Sequence, residues 1–167
     1  MSSGLLEVLG HNAWANGRLI DVCSTLTDAQ LDTGAEGTFG SVRDTLVHIL
    51  EAEQHYLFRL TGKKSNPPVQ EGHWPGFDLL RGRADENGQR YERVATEDDP
   101  ARVLRWTTRE GVAASMPVAL LLVQTVNHAN EHRSQVATVL THLGIEPPEL
   151  SGWSYAIESG VSTGITP

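Results

Sequence analysis

Apolar residues recur three and four positions apart in four separate segments of the sequence, and that period restricts the chain to a packing of helices. The first segment runs from about Gly4 to Leu26, with Leu5, Leu9, Leu19 and Cys23 on one stripe. Thr27-Asp28-Ala29-Gln30 has the Thr and Gln spacing of a capping box, which predicts a short turn of helix before Gly34, Gly37 and Gly40 mark a loop. The second helix is expected to start at Ser41, whose hydroxyl can cap it, with Asp44 near its positive end. Leu46, Leu50, Leu57 and Leu60 carry it to Thr61-Gly62. The linker from Lys63 to Gly76 holds Pro67, Pro68 and Pro75 and cannot be regular. A third helix is expected over about Phe77 to Ala95, interrupted by Gly82 and Gly88 at about 1 kcal/mol each relative to Ala.

The pattern changes between Ala101 and Met116. Val103 to Thr108, then Arg109-Glu110-Gly111, then Val112-Ala113-Ala114 read as a short two-stranded excursion. Such a ribbon is marginal alone and must lean on the helices. The fourth helix is expected to open with Ser115 near the N-cap and Pro117 in the first turn. It should end at Leu143-Gly144, with Pro147-Pro148 beyond. The tail from Glu149 to Pro167 carries Trp153 and Tyr155 and is expected to be loosely structured. The fold class is therefore all-α, a four-helix bundle with an irregular or two-stranded excursion before the last helix. The 167 residues form one expected domain, 1–167, and some links are too long for the simplest up-down arrangement.

Composition narrows the partners. Thirteen Lys and Arg against twenty-one Asp and Glu give a net charge of −8, and the basic residues are scattered, which argues against a nucleic-acid surface. No apolar run is long enough to span a membrane, and Met1-Ser2-Ser3-Gly4 does not begin a signal peptide. Cys23 is the only cysteine, so no internal disulfide can form, and a reducing cytoplasmic setting is expected. Its place on the first apolar stripe makes it a small buried hydrophobe rather than a nucleophile.

Among the seven histidines, only His128 and His132 have a spacing that demands an explanation. Four apart on a helix, they stack on one face, where two imidazoles can share a metal ion. Winding the helix puts Val118, Leu121, Leu122, Ala129, Val136, Val139 and Leu143 in one stripe, with His132 in its middle and His128 at its edge. His142 falls outside it. An unpartnered ring in an apolar stripe costs a few kcal/mol, so two of them call for a shared partner. Asn12 and Asn16 are likewise four apart within the first stripe, and Glu53 lies in line with Leu46, Leu50 and Leu57. These polar residues read either as an interhelical hydrogen-bond network or as groups around a metal and its substrate. For a third ligand, periodicity leaves His48 and His55 both open, since each falls away from the leucine stripe.

Three blocks together resemble the DinB-like (damage-inducible, YfiT-like) metalloenzyme family, which is unrelated to the DNA polymerase of that name. They are His11-Asn12-Ala13-Trp14-Ala15-Asn16-Gly17-Arg18-Leu19, Phe39-Gly40-Ser41-Val42-Arg43-Asp44-Thr45-Leu46-Val47-His48-Ile49, and Val126-Asn127-His128-Ala129-Asn130-Glu131-His132-Arg133-Ser134-Gln135. The likeness continues through Leu143-Gly144-Ile145-Glu146-Pro147-Pro148 and covers most of the chain in order. It implies a four-helix bundle whose metal is held by His48, His128 and His132, so the resemblance, not the periodicity, selects His48 over His55. It also implies a homodimer. Glu131 stands where many members have a second adjacent His, Ser134 where Gly is usual, and Gln124 where His is frequent.

Three imidazoles leave open positions on an ion, the layout of catalytic sites. All-nitrogen ligation suits Zn or Ni first, with Fe or Cu also compatible. By resemblance, the expected function is a metal-dependent enzyme that activates a low-molecular-weight thiol or a water against a small electrophilic substrate. A transferase or hydrolase in stress response or detoxification fits that description, with Glu131 and Arg133 as candidates for positioning the substrate. The competing expectations are a non-catalytic metal-binding stress-response module and a structural homodimer with a polar histidine core.

Overall fold

The computed structural model describes residues 3–108 and 110–161, and its architecture is mostly helical. Four long helices, α1 (Ser3–Cys23), α3 (Val42–Thr61), α4 (Phe77–Glu97) and α5 (Val118–His142), build a bundle. Two short ones accompany them, α2 (Asp28–Leu31) and α6 (Gly152–Glu158), with strands β1 (Val103–Thr107) and β2 (Ala113–Pro117) before α5. Going round the bundle, α1 packs on α4, α4 on α3, α3 on α5, and α5 back on α1. The long helices α1 and α3, joined through α2, thus sit on a diagonal.

Local chemistry sets most boundaries. Thr27 and Gln30 close the capping box at α2. The Ser41 hydroxyl accepts the Asp44 N–H at 3.1 Å to start α3. Gly62 (φ +70°) ends α3 and Gly144 (φ +73°) follows α5, both in the left-handed region that glycine enters without a Cβ penalty.

Three expectations need correction. First, α1 stops at Cys23 rather than Leu26. Second, Ser115 lies inside β2, and Pro117 is the N-cap of α5 rather than a first-turn residue. The strand runs straight into the helix, whose leading N–H groups on Val118 and Ala119 are taken by the carbonyls of Arg102 (2.9 Å) and Pro100 (3.0 Å), so no side-chain cap is needed. Third, the tail is ordered over α6. Ser151 caps it, the His11 ring nitrogen Nε2 meets the Leu150 carbonyl at 2.8 Å, and the Trp14 indole donates to Glu158 at 3.0 Å. Seven residues are too few for a periodic signal, so only contact with α1 shows this helix. Residues 162–167 of the tail, and Arg109 in the ribbon turn, lie outside the described residues.

The ribbon is antiparallel with Val103 opposite Pro117 and Thr107 opposite Ala113. It leans on the bundle through buried Leu104 and through Trp106, whose ring lies 4.6 Å beneath the Arg59 guanidinium.

The core divides into two apolar clusters. One gathers Leu19, Cys23, Leu46, Leu50, Leu80, Val136 and Leu140; the other gathers Leu9, Leu57, Tyr91, Val94, Leu121 and Leu122. Between them lies a layer of buried polar side chains, Asn12, Asn16, Glu53, Asn87, Thr125 and Arg133. Cys23 is fully enclosed, and burial pushes its thiol up to about 12, which makes it an inert hydrophobe as its stripe suggested.

The two glycines of α4 have opposite reasons to be there. A Cβ on Gly82 would meet nothing within 4 Å, whereas one on Gly88 would come within 2.7 Å of the Ala13 Cβ, which is fixed to the α1 backbone. Gly82→Ala is expected to raise stability by about 1 kcal/mol through helix propensity alone. Gly88→Ala should lower it, because forcing two helices apart costs about 1–3 kcal/mol and outweighs the same propensity gain. Urea unfolding of the two variants checks the opposite signs; equal shifts would show that the α1–α4 approach is not tight.

Candidate metal centre

Three histidines from two helices converge at the α3–α5 seam. His48, His128 and His132 each offer one ring nitrogen, and these atoms lie within 4.8 Å of one another. His132 is 8% exposed and the other two are half-buried. The pair on α5 meets because residues four apart stack on one helix face. His48 joins because α3 packs against α5 with His48 facing that seam, while His55, two turns on, is exposed.

Hydrogen bonds orient two of the rings. His48 Nδ1 meets the Glu71 carboxylate at 2.5 Å, and an ionised carboxylate only accepts, so Nδ1 carries the proton. His132 Nδ1 meets Gln135 Oε1 at 2.9 Å, and the same oxygen accepts the Phe39 backbone N–H at 3.0 Å, which makes His132 Nδ1 a donor too. In their neutral forms both rings then present Nε2 as a lone pair. His128 Nε2 lies 3.1 Å from His48 Nε2, and its own Nδ1 is buried without a hydrogen-bond partner among the described residues. Burial, reinforced by the neighbouring His132 and His48, pushes His128 down to about 4, so its ring is neutral at physiological pH.

This donor set fits a divalent ion. Nitrogens 2.0–2.1 Å from a tetrahedral zinc are about 3.3 Å apart, close to the 3.1 Å between His128 and His48. Two of the three crowded rings have their Nδ1 protons committed elsewhere and turn Nε2 lone pairs toward the third, an arrangement a cation would satisfy. Phe39 covers part of the site: its ring stacks on His48 at 3.9 Å and meets His132 edge-on at 5.3 Å. Beside it lies a cavity of about 380 Å³ lined by Phe39, Arg43, Val47, Glu71, His73 and Trp74. That cavity reaches the site through Phe39 and Glu71, which contact His48, rather than through the three histidines themselves; a larger groove, about 790 Å³ between α1, α4 and α6, lies away from them.

The remaining predicted residues lie elsewhere. Asn12 and Asn16 donate to Glu53 Oε1 at 2.9 and 2.8 Å, Asn87 donates to Oε2 at 3.1 Å, and Arg133 donates to the side-chain oxygens of Asn12 and Asn16 at 2.8 and 2.6 Å. These side chains form the interhelical network, one of the two readings open from sequence, and none of these bonds reaches a histidine. Arg133 is only 3% exposed and points to α1, because it is the cation that balances Glu53; Glu131 is exposed on α5. Arg133, turned into the core, is not placed to meet a substrate at the histidines. Gln124, one turn before His128, approaches the Tyr56 hydroxyl at 3.5 Å. The groups that sequence reasoning missed are Glu71, Gln135 and Phe39. Gln135 had a signal, since it lies three residues from His132 on the same face. Glu71 had none, because it comes from an irregular loop.

A helical bundle with three histidines gathered between two of its helices defines a protein able to hold a metal ion in a side seam. The sequence matches the DinB family model over residues 1–159, and the chain belongs to that family. Among solved structures, it is similar to a DinB-like protein from Bacillus cereus, with 18% identity, a TM-score of 0.66, and coverage of 87% of this chain and 95% of that one. At that identity the likeness concerns the fold. No curated protein matches the sequence. Among the described residues, no helix is long and apolar enough to cross a membrane.

Proposed function

We propose that this protein is a divalent-metal-dependent enzyme that activates a low-molecular-weight thiol or a water against a small electrophile. The observation that carries the reading is the convergence of three imidazole nitrogens, with a cavity of small-molecule size on the far side of Phe39 and Glu71. His48, His128 and His132 would hold the ion, with zinc or nickel best suited to all-nitrogen ligation. Held there, the ion supplies Lewis acidity that lowers the pKa of a thiol or water. Glu71 and Gln135 keep two rings oriented, and Phe39 covers part of the site. The cavity walls combine apolar Phe39, Val47 and Trp74 with Arg43, His73 and the carboxylates of Asp44 and Glu71, a mixed lining suited to a small polar molecule. A role in stress response or detoxification, a cytoplasmic setting and a homodimer belong to the same proposal, the last checked by light scattering.

A second reading, a metal-holding module without turnover, is favoured by the stacking of Phe39 directly on His48. One experiment separates them. The untagged protein is purified without chelator and its metals measured by elemental mass spectrometry, beside His128→Ala and His132→Ala. About one ion per chain, absent from both variants, is expected. The loaded protein is then given small thiols with alkyl halide, epoxide and ester electrophiles. Thiol or ester consumption that disappears in the variants supports the enzyme; metal without any consumption supports the module. No metal, and none taken up from zinc or nickel solutions, sinks both.

A further inference from the structure

We propose that Glu71 is a positioning residue of the histidine site, and that its carboxylate raises the site's affinity for metal by orienting His48 and strengthening its donor nitrogen. The inference rests on the reading that the three histidines hold an ion.

Glu71 reaches His48 from a loop with no regular structure, yet α3 holds that loop at successive points. Gln54 makes two hydrogen bonds to the Val69 backbone, donating to its carbonyl at 2.9 Å and accepting its N–H at 3.0 Å. Glu51 accepts the Glu71 N–H at 2.7 Å, and His48 meets the Glu71 carboxylate at 2.5 Å. His48, Glu51 and Gln54 are three apart, so they form one row along the helix. Residues 69–71 lie against that row like a short strand, and a bridge between Gln70 and His73, with Gly72 at φ +75°, turns the chain away immediately afterwards. The carboxylate is thus delivered by an anchored backbone, not by a freely moving side chain.

The three histidines are treated unequally. His132 has a neutral amide on Nδ1, His128 has nothing, and His48 alone has a carboxylate. A charge-assisted bond from Nδ1–H to a carboxylate is about twice as strong as one to a neutral acceptor. It also pushes electron density toward Nε2, which makes that nitrogen the better ligand. Since His48 is the sole contribution of α3, its orientation decides whether the pair on α5 acquires a third partner.

The test compares wild-type protein, Glu71→Gln and a loop control, Gln70→Ala, as metal-free, untagged chains. Zinc is titrated in competition with a chromophoric chelator, and cobalt(II) is added separately to record its visible absorption bands. Glu71 is 54% exposed, so Glu71→Gln should leave the melting temperature of the metal-free chain unchanged. Its zinc affinity is expected to fall about 10–100-fold at unchanged stoichiometry. The cobalt bands should shift with the weaker His48 donor, and Gln70→Ala should match wild type in both respects. Equal zinc affinity in Glu71→Gln and wild type overturns the inference and leaves the metal site standing. So does an equal loss in Gln70→Ala, or a loss without a band shift, either of which reduces Glu71 to loop structure. Failure of the wild type itself to take up zinc overturns the metal reading and this inference together.

Discussion

Replacing Glu53 with alanine is expected to cost about 3–5 kcal/mol, enough to unfold a large fraction of an ordinary domain. Glu53 is 2% exposed and accepts three amide donors from α1 and α4, while the two asparagines pass their oxygens to the Arg133 guanidinium. Its backbone carbonyl also accepts the Tyr91 hydroxyl at 2.9 Å, and Thr125 donates to that hydroxyl at 3.2 Å. Burial raises the Glu53 pKa, opposed by the donors Asn87, Asn12 and Asn16 and by the charge of Arg133. Burial lowers Arg133 to about 10, opposed by Glu53, so the guanidinium is still charged at neutral pH. Removing the carboxylate therefore strands a cation 3% exposed and leaves three amide groups short of an acceptor. Urea unfolding of Glu53→Ala, Arg133→Ala and the double variant measures the effect. The double variant should be less destabilised than the sum of the singles by about 0.5–3 kcal/mol. A Glu53→Ala loss under about 1 kcal/mol would mean that the layer is hydrated and holds nothing together.

Zinc should raise the thermal stability of the wild-type chain and leave His128→Ala unmoved. An ion that binds only the folded state stabilises it by about 2.7 kcal/mol at a free concentration one hundred times Kd. For a chain of this length that corresponds to roughly 5–11 °C in Tm. The metal-free variant is a milder matter. With His48 Nδ1–H given to Glu71, His128 Nε2–H must be the donor toward His48 Nε2, which leaves His128 Nδ1 as a buried acceptor with no partner. Taking away a ring in that condition removes an unsatisfied group along with its packing, so His128→Ala should lose little stability without metal. Scanning calorimetry with and without zinc reads both numbers. A zinc shift that survives in His128→Ala would place the ion elsewhere, and a large metal-free loss would make the ring a structural member of the core.

The two variants probe different layers, and the distinction was only half legible beforehand. Asn12, Asn16 and Glu53 stand out in the sequence because polar residues on apolar stripes must be satisfied somewhere. Their spacing cannot say whether the partner is another helix or a metal, since both answers place them inside. The packing of α1 diagonally to α3 decides it: Glu53 crosses the centre of the bundle to two asparagines and stays away from the histidines. Arg133 went the same way. Read from sequence it could stand beside His132 at a substrate, but consecutive residues on a helix point about 100° apart, and that turn sends it into the core.

What the sequence by itself determined is whatever depends on neighbours within a few residues. The four long helices, the capping box at Thr27, the Ser41 cap, the glycine after α5 and the stacking of His128 on His132 all follow from contacts between residues at most five apart. The ribbon before α5 was also visible, because its alternation breaks the helical period. Tertiary structure decided the rest. His48 and His55 both leave the leucine stripe, and only the α3–α5 seam puts one at the site and the other in solvent. The helix α6 exists by contact with His11 and Trp14, more than one hundred residues earlier in the chain. Glu71 meets His48 across 23 residues of chain because α3 holds its loop, and no local pattern encodes a hydrogen bond that the folding of an irregular segment creates.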